Sequence, residues 1–452
     1  MSFLHMKGVA VPHHKNTAGA EPVRMPPPAM VVLPMVMHIG APAVPTVKVG
    51  DTVRVGEKVA DSSGFISSPV HASVSGVVKK LDPVLLSNGN RVPAVWIESD
   101  GKMTPSRAKY AQKQFIASKE DFLRAVKDSG IVGLGGAGFP TIGKLTFPET
   151  AAPDTVIING AECEPFITSD TRTMLDRPDE IICGLELLRD YLGVRHFIIG
   201  IEANKPDCIR YFREVKIEGA DFRVKVLPPV YPQGAEKVLI HRTTGRIVPE
   251  GKLPIDVGVI VLNCTTVAAL ADYIQTGMPL VEKCVTVNGS AVRNPQNVIV
   301  PIGTPIRDVF AFCGGFVREP GKILYGGPMM GIAVPDLSVP VLKNTNAILA
   351  FDREDAAVPP ETACLHCGRC VNHCPMQLNP PAIAKAYEER DGAMLARLKV
   401  NLCMECGACA FRCPARRHIV QRNRLAKGVL RAYQQQQKLQ EQQNGKKEGA
   451  AK

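Results

Sequence analysis

The residues best suited to chemistry are eight cysteines near the C-terminus, which form two runs of identical spacing. In each run three cysteines are separated from one another by two intervening residues, and a fourth follows after three further residues, directly before a proline. Three closely spaced thiolates can wrap one corner of an iron–sulfur cubane, while the fourth points away to the other cluster. The spacing predicts two [4Fe–4S] clusters, and therefore electrons that move one at a time. The first cluster is assigned to Cys364, Cys367, Cys370 and Cys413, and the second to Cys374, Cys403, Cys406 and Cys409.

Zinc is the competing interpretation of paired cysteines, but a tetrahedral ion has no use for a third cysteine at the same spacing and a fourth before proline. Disulfides are disfavoured because the chain is expected to be cytoplasmic. Between the runs, residues 381–400 have a helical pattern that predicts one apolar face, expected to cover the clusters; its members are Ile383, Tyr387, Met394 and Leu398. A cluster pair without a substrate pocket is an electron wire, so the chemistry must lie elsewhere or in a partner.

A glycine-rich loop at residues 133–140 is the second chemical feature. It satisfies G-x-G-x-x-G, but a helix precedes it and Pro140 follows directly, whereas the dinucleotide fingerprint has a strand before and a helix after. Dense glycines still expose backbone N–H groups that suit a phosphate. A tight structural turn is the alternative that the motif alone leaves open.

The residues that follow favour a binding site. Lys144 lies shortly after the loop, and the segment 159–165 (NGAECEP) follows the strand-like TVII, at the edge where ligands bind in α/β sheets. Together with the segments 231–236 (YPQGAE) and 262–266 (LNCTT), these motifs resemble, in order, the FMN- and NADH-binding elements of the complex I flavoprotein subunit. The resemblance spans residues 130–335.

The resemblance implies roles for individual residues. The residues that would contact the cofactor are Gly133, Gly135, Gly136, Gly138, Phe139, Lys144, Asn159, Glu162, Tyr231, Gly234, Asn263 and Thr266. Glu164 and Glu236, with Phe139, would lie nearer the nicotinamide, and the two glutamates are the catalytic candidates. The chain departs from the family pattern at Leu134, Ala161, Ala235 and Leu262. These departures bear on the nicotinamide contacts more than on the flavin.

Composition shifts divide the chain into four structured parts and a tail. Short alternating runs separated by turn residues predict an all-β module over 1–100, which resembles lipoyl domains but has no lysine at its hairpin tip, 61–65. Alternating β-rich and helix-like stretches then predict a parallel α/β domain. The parts are a lipoyl-like (barrel-sandwich hybrid) β module at 1–100, a Rossmann-like FMN/NADH-binding α/β domain at 114–255, a β-grasp-like soluble-ligand-binding (SLBB) domain at 256–340, a 2[4Fe–4S] ferredoxin-like domain at 355–422, and a basic, Gln-rich tail at 423–452, expected to be disordered.

This order of parts resembles the RnfC members of Rnf-type ion-translocating ferredoxin:NAD oxidoreductases over residues 5–430. The phrases HIGAPAVPTVKVGD, SPVHASVSG and CMECGACAFRCPARR carry the match. It implies a peripheral subunit on the cytoplasmic face of a membrane complex, which exchanges hydride between NAD(H) and FMN and passes single electrons through two clusters. It also implies partners: integral membrane subunits that translocate H⁺ or Na⁺, an iron–sulfur subunit and, indirectly, ferredoxin.

Two alternatives stay open at this point. The departures at Leu134, Ala161 and Ala235 leave room for a relay and docking scaffold without flavin. A cobalamin reductase of diol-degrading microcompartments would share the middle of the chain and the clusters, but that family begins near the glycine loop, so the first hundred residues favour the Rnf interpretation.

The charge and hydropathy exclude other classes. No stretch reaches the ~18 apolar residues of a membrane span, and no secretory signal opens the chain. The formal charge is +11, with much of the excess in the tail. A solvated tail is the simplest interpretation, docking to an anionic surface the next, and nucleic acid a poor third because no recognition motif accompanies the charge.

Overall fold

The computed structural model describes residues 8–106 and 114–450, with side chains up to residue 443. The chain divides into two compact units. Among the described residues, the larger comprises 12–106, 114–229 and 234–357, and the smaller comprises 8–11, 230–233 and 358–450. In the described part of the chain, no helix is both long enough and apolar enough to cross a membrane.

The larger unit begins with the expected β module. Two small sheets, ordered β2-β10-β7-β4 and β3-β5-β6, share one apolar core. The strands are β1 (Val23–Arg24), β2 (Met30–Pro34), β3 (Ala43–Pro45), β4 (Thr52–Val53), β5 (Lys58–Ser62), β6 (Val70–His71), β7 (Gly76–Lys80), β8 (Val84–Leu85), β9 (Arg91–Val92) and β10 (Ala94–Ser99). The hairpin tip after β5 exposes Phe65 and carries no lysine. The prediction of a small β module is confirmed.

An α/β domain follows. Its elements are α1 (Lys119–Asp128), α2 (Thr141–Leu145), β11 (Thr155–Gly160), α3 (Ser169–Asp176), α4 (Pro178–Leu192), β12 (His196–Glu202), α5 (Pro206–Glu214), β13 (Asp221–Leu227), α6 (Glu236–Thr244), β14 (Val259–Asn263) and α7 (Cys264–Thr276). The sheet is wholly parallel, in the order β13-β12-β11-β14. Alternate residues of β11 enter opposite cores: Val156 and Ile158 pack with α4 and α7, and Ile157 packs with α6. Helices therefore cover both faces, as a buried parallel sheet requires.

The predicted boundary at residue 255 differs from the structure. β14 pairs in parallel with β11, from Thr155 opposite Val259 to Asn159 opposite Asn263. α7 packs against α4 within the same core. The short apolar run of β14 gave no sign of its sheet partner, because a buried strand reads the same in either domain. The α/β domain therefore extends to Thr276.

The third part of the larger unit is a mixed sheet in the order β1-β16-β15-β19-β17-β18. Its elements are β15 (Glu282–Asn288), β16 (Gln296–Pro301), α8 (Ile306–Phe312), β17 (Pro320–Tyr325), β18 (Ile332–Ala333) and β19 (Ala347–Asp352). The predicted end at residue 340 differs, because β19 pairs with both β15 and β17. β1 pairs in parallel with β16 at the edge of this sheet, so this N-terminal strand belongs to the sheet of the third part and not to the sheets of the β module.

The smaller unit contains both cysteine runs. Its helices are α9 (Arg369–Asn372), α10 (Pro380–Glu388), α11 (Gly392–Arg397), α12 (Ala408–Phe411) and α13 (Ile419–Ala450). The single helix expected over 381–400 is two helices, because Arg390 has a φ of +54° and the Asp391 side chain caps α11 by accepting from the Met394 N–H. Behind this break Leu395 is buried, and Met394, expected on the apolar face, is 36% exposed.

The tail also differs from expectation. Residues 423–450 belong to α13, where a disordered tail was expected from residue 423 onward. The first turns of α13 bury Asn423, Ala426 and Leu430, and the two apolar residues pack in a core with Ile383 and Leu395. These buried positions precede the Gln-rich stretch that begins at residue 434, and the composition of the tail as a whole concealed them.

Candidate flavin site and iron–sulfur centre

The glycine loop is closed by its own backbone and is open at its tip. The Gly133 N–H donates to the Phe139 carbonyl at 2.8 Å, and the Leu134 N–H donates to Thr266 Oγ1 at 3.0 Å. A Cβ at Gly135 would lie 2.3 Å from Asn263 Nδ2, so this position requires glycine. At Gly136 no described atom would lie within 4 Å of a Cβ. The loop therefore presents backbone to an open space, which suits a phosphate-bearing ligand.

The loop lies where the α/β topology creates a crevice. The chain builds β11, β12 and β13 outward in one direction and then returns to place β14 on the other side of β11. Asn159 and Asn263 stand at the carboxyl ends of the two strands that flank this reversal. Ligands of doubly wound sheets bind at such a switch point. The fold thus brings the glycine loop, Asn159 and Asn263 to one edge of the sheet.

Both asparagines are held in fixed orientations. Asn159 Nδ2 donates to the Gly234 carbonyl at 2.9 Å. Asn263 Oδ1 accepts the Thr266 N–H at the start of α7, and its Nδ2 donates to Asp170 Oδ2 at 2.7 Å. Because these side chains are already ordered, a ligand that binds in the crevice need not restrict their rotamers, and binding does not cost their conformational entropy.

Lys144 and Glu236 form an ion pair. Lys144 Nζ lies 2.7 Å from Glu236 Oε2 and also donates to the Val261 carbonyl at 3.0 Å. The Glu236 side chain is 40% exposed and the Lys144 side chain 28% exposed. The structure therefore brings together a candidate flavin contact and a candidate catalytic carboxylate, each partly accessible to a ligand.

Glu162 acts as a helix cap. Its Oε1 accepts the Asp170 N–H at 2.6 Å, and its Oε2 accepts the N–H and hydroxyl of Thr171. Burial raises the pKa of Glu162, and the nearby Lys15 ammonium opposes that rise. A carboxylate at a helix N-terminus satisfies otherwise unpaired N–H groups. Its contacts in the structure are thus with α3.

Glu164 is bound by the turn between β17 and β18. Its two carboxylate oxygens accept the N–H groups of Met329, at 3.0 Å, and Met330, at 2.9 Å. A Cβ at Gly327 would overlap Glu164 Oε2, so this approach also requires glycine. Glu164 therefore joins the α/β domain to the β-grasp-like domain.

Two aromatic candidates lie in different parts of the structure. The Phe139 ring packs against α2, where a Cβ at Gly143 would lie 2.8 Å from it. Tyr231 is buried and belongs to the smaller unit, where its backbone exchanges hydrogen bonds of 2.7 and 2.9 Å with Val9. The other flavin and nicotinamide candidates belong to the larger unit.

Lys15 was missed by the sequence analysis. Its Nζ donates to the carbonyls of Glu162 at 2.7 Å, Glu164 at 2.8 Å and Ile167 at 2.5 Å, and so gathers the loop that carries both glutamates. Burial lowers the pKa of Lys15, while Glu162 opposes that shift. A lone lysine about 150 residues away in sequence gives no local signal, and this one lies within the predicted β module.

The departures from the complex I pattern are mostly packing positions. Leu134, Ala161 and Leu262 are 1%, 0% and 3% exposed. A lysine still contacts the loop, because Lys283 Nζ, itself buried, donates to the Leu134 carbonyl at 2.6 Å. The changed side chains therefore alter the core behind the crevice, while the loop backbone keeps a lysine donor.

The cysteines of the second predicted set surround a small cavity in the smaller unit. Cys374, which comes from the first run, lines it together with Cys403, Cys406 and Cys409. Burial raises the pKa of Cys406 to about 12, so its thiol stays protonated until iron binds. No three His, Cys, Asp or Glu side chains in the described residues converge closely enough for a single metal ion. Four thiols around a cavity are the donor set that a cubane needs.

The first set is more open. Burial raises the pKa of Cys370, and interactions with Cys413 and Cys364 add to that rise. Cys367 is exposed, as is the neighbouring Leu365 at 64%. The interleaved grouping of the cysteines, with one from the opposite run in each set, is therefore compatible with the geometry.

Comparison with known proteins identifies the family. The chain is 43% identical over 389 residues to the C component of the Na⁺-translocating ferredoxin:NAD⁺ oxidoreductase complex of Acetobacterium woodii, a match that covers 85% of this chain and 87% of that protein. It is 39% identical to the proton-translocating counterpart of Clostridium ljungdahlii, over 83% of each chain. The chain belongs to the RnfC family. The corresponding component of the ion-translocating oxidoreductase complex of Rhodobacter capsulatus is 39% identical over 84% of this chain and 74% of its own length.

Domain models match each part of this RnfC chain. The RnfC barrel-sandwich hybrid domain matches residues 3–102, the Nuo51 FMN-binding domain 126–272, the SLBB domain 284–333 and the 4Fe–4S dicluster domain 358–414. These matches confirm the predicted fold class, FMN and two [4Fe–4S] clusters, while the individual site residues stay predictions. The solved NAD⁺-reducing [NiFe]-hydrogenase in the H₂-reduced state superposes with a TM-score of 0.47 at 20% identity, over 65% of this chain and 59% of that one, which is too distant to support an argument about the site.

Proposed function

We propose that this RnfC chain is the subunit through which an ion-translocating ferredoxin:NAD oxidoreductase complex exchanges electrons with NAD(H). The observation that carries the proposal is the presence, in one chain, of a switch-point crevice bordered by an open glycine loop and of a cavity lined by four cysteines. The matching relatives are named as components of such complexes.

The flavin would occupy the crevice. When bound, FMN takes up two electrons with a hydride and releases them singly, and each cubane carries one electron. The exposed backbone of Gly135 and Gly136 would hold the phosphate, with Asn159, Asn263 and Thr266 fixing the loop and the edge. Lys144 would supply positive charge near the flavin. Lys144 binds Oε2 of Glu236, and the other carboxylate oxygen of Glu236 would accept a hydrogen bond from the nicotinamide and so orient it.

The clusters would take the ligands assigned above, with Cys374 and Cys413 exchanged between the runs. The first cluster is the one open to a partner, because Cys367, Leu365 and Phe411 are exposed in the smaller unit. Among the partners we infer are an iron–sulfur subunit at this surface and integral membrane subunits that perform the H⁺ or Na⁺ translocation. This chain would sit peripherally on the cytoplasmic face, with ferredoxin reaching it indirectly. The absence of a candidate membrane-spanning helix among the described residues is compatible with that location.

One further function has a specific observation in its favour. Both oxygens of Glu164 accept backbone N–H groups and Glu236 is paired with Lys144, so neither catalytic candidate is wholly free. A relay and docking subunit without flavin would need no such group. It would bind iron in full but no FMN, and would not respond to NADH.

The decisive experiment is anaerobic purification, followed by quantification of iron and FMN per chain and by NADH addition under the spectrophotometer. Retained FMN that bleaches with NADH, followed by cluster reduction, supports the proposal. Full iron with no flavin after FMN reconstitution would support the relay instead.

Gly136→Ala locates the flavin more sharply. A methyl group here would meet no described atom within 4 Å, so the folded protein should lose no stability, but the methyl would occupy space beside the loop backbone. We expect a loss of FMN with iron unchanged. Gly19→Ala is the matched control, because this glycine also has no described atom within 4 Å of a Cβ and lies outside the loop. FMN retention by Gly136→Ala equal to that of the control would place the flavin elsewhere.

A further inference from the structure

A buried asparagine faces the cavity of the second cysteine set. Asn423 lies on α13, is 1% exposed, and lines the cavity together with Cys374, Cys403, Cys406 and Cys409. Apolar side chains, among them Leu378 and Val420, form much of the remaining wall. A polar side chain in such surroundings is costly unless it forms hydrogen bonds.

The amide of Asn423 has few partners within the protein. Its Nδ2 lies 4.0 Å from Cys403 Sγ, at the long end for a contact to sulfur. Its buried Oδ1 has no hydrogen-bond partner among the described residues. Nearly all buried polar groups are paired in folded proteins. Oδ1 is an acceptor, so sulfur, itself an acceptor, cannot pair with it, and the group that points to a cluster is the Nδ2 donor, whose described contact is the Sγ of the predicted ligand Cys403.

The internal repeat shows that the cysteine motif itself does not demand an amide here. The second run repeats the first at a spacing of 39 residues, from Cys364 to Cys403 and from Cys374 to Cys413. At that spacing the counterpart of Asn423 is Ala384, a buried alanine on α10. One repeat thus carries a hydrogen-bond donor where the other carries a methyl group.

We propose that Asn423 is a positioning residue that donates a hydrogen bond to the sulfur of the second cluster and raises its reduction potential. Reduction adds one electron, so the reduced cluster carries more negative charge and gains more from a donor than the oxidised cluster does. Hydrogen bonds to sulfur are among the factors that set cluster potentials. The inference rests on the assignment of Cys374, Cys403, Cys406 and Cys409 to one cluster, made under the proposed function.

The test is an anaerobic redox titration of the full chain, monitored by electron paramagnetic resonance, with Asn423→Leu compared with the parent protein. We expect one of the two cluster potentials to become more negative by about 59 mV, equal to a tenfold change in the ratio of reduced to oxidised cluster. The other potential should not move. Gln421→Leu is the control, because this amide lies on the same helix and is exposed.

Iron content separates the possible failures. If both clusters are present and neither potential moves in Asn423→Leu, the inference is overturned, although the cluster assignment survives. If Asn423→Leu loses a cluster, Asn423→Asp decides, because this variant keeps the shape and makes the donor depend on protonation. We then expect one cluster potential to fall as pH rises, and a pH-independent potential would equally overturn the inference.

Discussion

The two cysteine runs have the same spacing but different surroundings. Around the first set Cys367 is exposed, and Phe411, which lies shortly before Cys413 in the chain, is 46% exposed. In the second set Cys406 and Cys409 are each 8% exposed. The cysteine spacing therefore determines which type of cluster each set can bind. The burial of each set determines whether solvent and partner proteins can reach that cluster.

Helix α13 is anchored to both runs. Glu361, before the first run, binds the Arg422 guanidinium through both oxygens, at 2.8 and 2.9 Å. Glu405, within the second run, binds Arg424 and Lys427, each at 2.7 Å. Basic side chains of α13 thus bind one carboxylate next to the first run and another within the second run. Variants that act on one run can test whether the two differ as the structure indicates.

The largest expected effect comes from the cysteines that cross between the runs. Cys374→Ala should remove the second cluster, and Cys413→Ala the first, because each fourth ligand serves the other run's set. Each variant should lose about half of the iron. The residual paramagnetic spectrum of Cys374→Ala should match that of Cys409→Ala, and the spectrum of Cys413→Ala should match that of Cys370→Ala.

Cys183→Ala is the control for these variants, since Cys183 lies outside both runs and should leave the iron content unchanged. If the spectrum of Cys374→Ala matched that of Cys370→Ala instead, each run would hold its own cluster and the interleaved assignment would be wrong.

The carboxylate anchors should have a smaller effect. Hydrogen bonds from Arg422, followed by the His418 N–H, lower the pKa of Glu361 to about 2 from 4.5. The ionised carboxylate therefore contributes stability that is complete above about pH 4.5 and is lost as pH falls towards 2. At pH 7 Glu361→Gln should lower the free energy of unfolding by about 1 kcal/mol, a value reduced for partial exposure.

Anaerobic urea unfolding, followed by cluster absorbance, measures this difference, and the gap between variant and parent should narrow below pH 4.5, where the carboxyl protonates in the unfolded chain while the folded chain keeps it ionised down to about pH 2. Glu354→Gln is the control, since Glu354 is an exposed residue outside the smaller unit. A gap that stayed constant with pH would show that the Glu361 charge does not contribute.

Much of this organisation could be predicted from sequence because its signals are local. The cysteine spacing and the turn-rich β module each depend on residues within a few positions of one another. The glycine loop was placed correctly after a helix and before Pro140. Motif order then identified the family, because several short motifs in sequence are far more specific than any one alone.

The remainder depended on long-range contacts. The pairing of β14 with β11 decides a domain boundary, and nothing within the strand specifies its partner. Lys15 reaches a loop about 150 residues away. The break at Arg390 shifted the apolar face from Met394 to Leu395, since a single helical phase was assumed across a residue with positive φ. Each difference arose where tertiary structure outweighed a local pattern.

The smallest effect is expected from two substitutions that change the solvent exposure of a cluster but leave its cysteine ligands in place. Leu365 and Met404 hold the same position in the two repeats, yet Leu365 is 64% exposed and Met404 lines the second cavity. Leu365→Ser should change the free energy of unfolding by less than about 0.5 kcal/mol, as surface substitutions usually do, and leave both potentials in place. Met404→Ser should admit water to the second cluster and raise only that potential, because water stabilises the more highly charged reduced form. Redox titration of both variants, with iron content as the check on loading, measures the difference. Equal shifts in the two variants would mean that the clusters are equally solvated, and the contrast between the runs would then have no consequence for electron transfer.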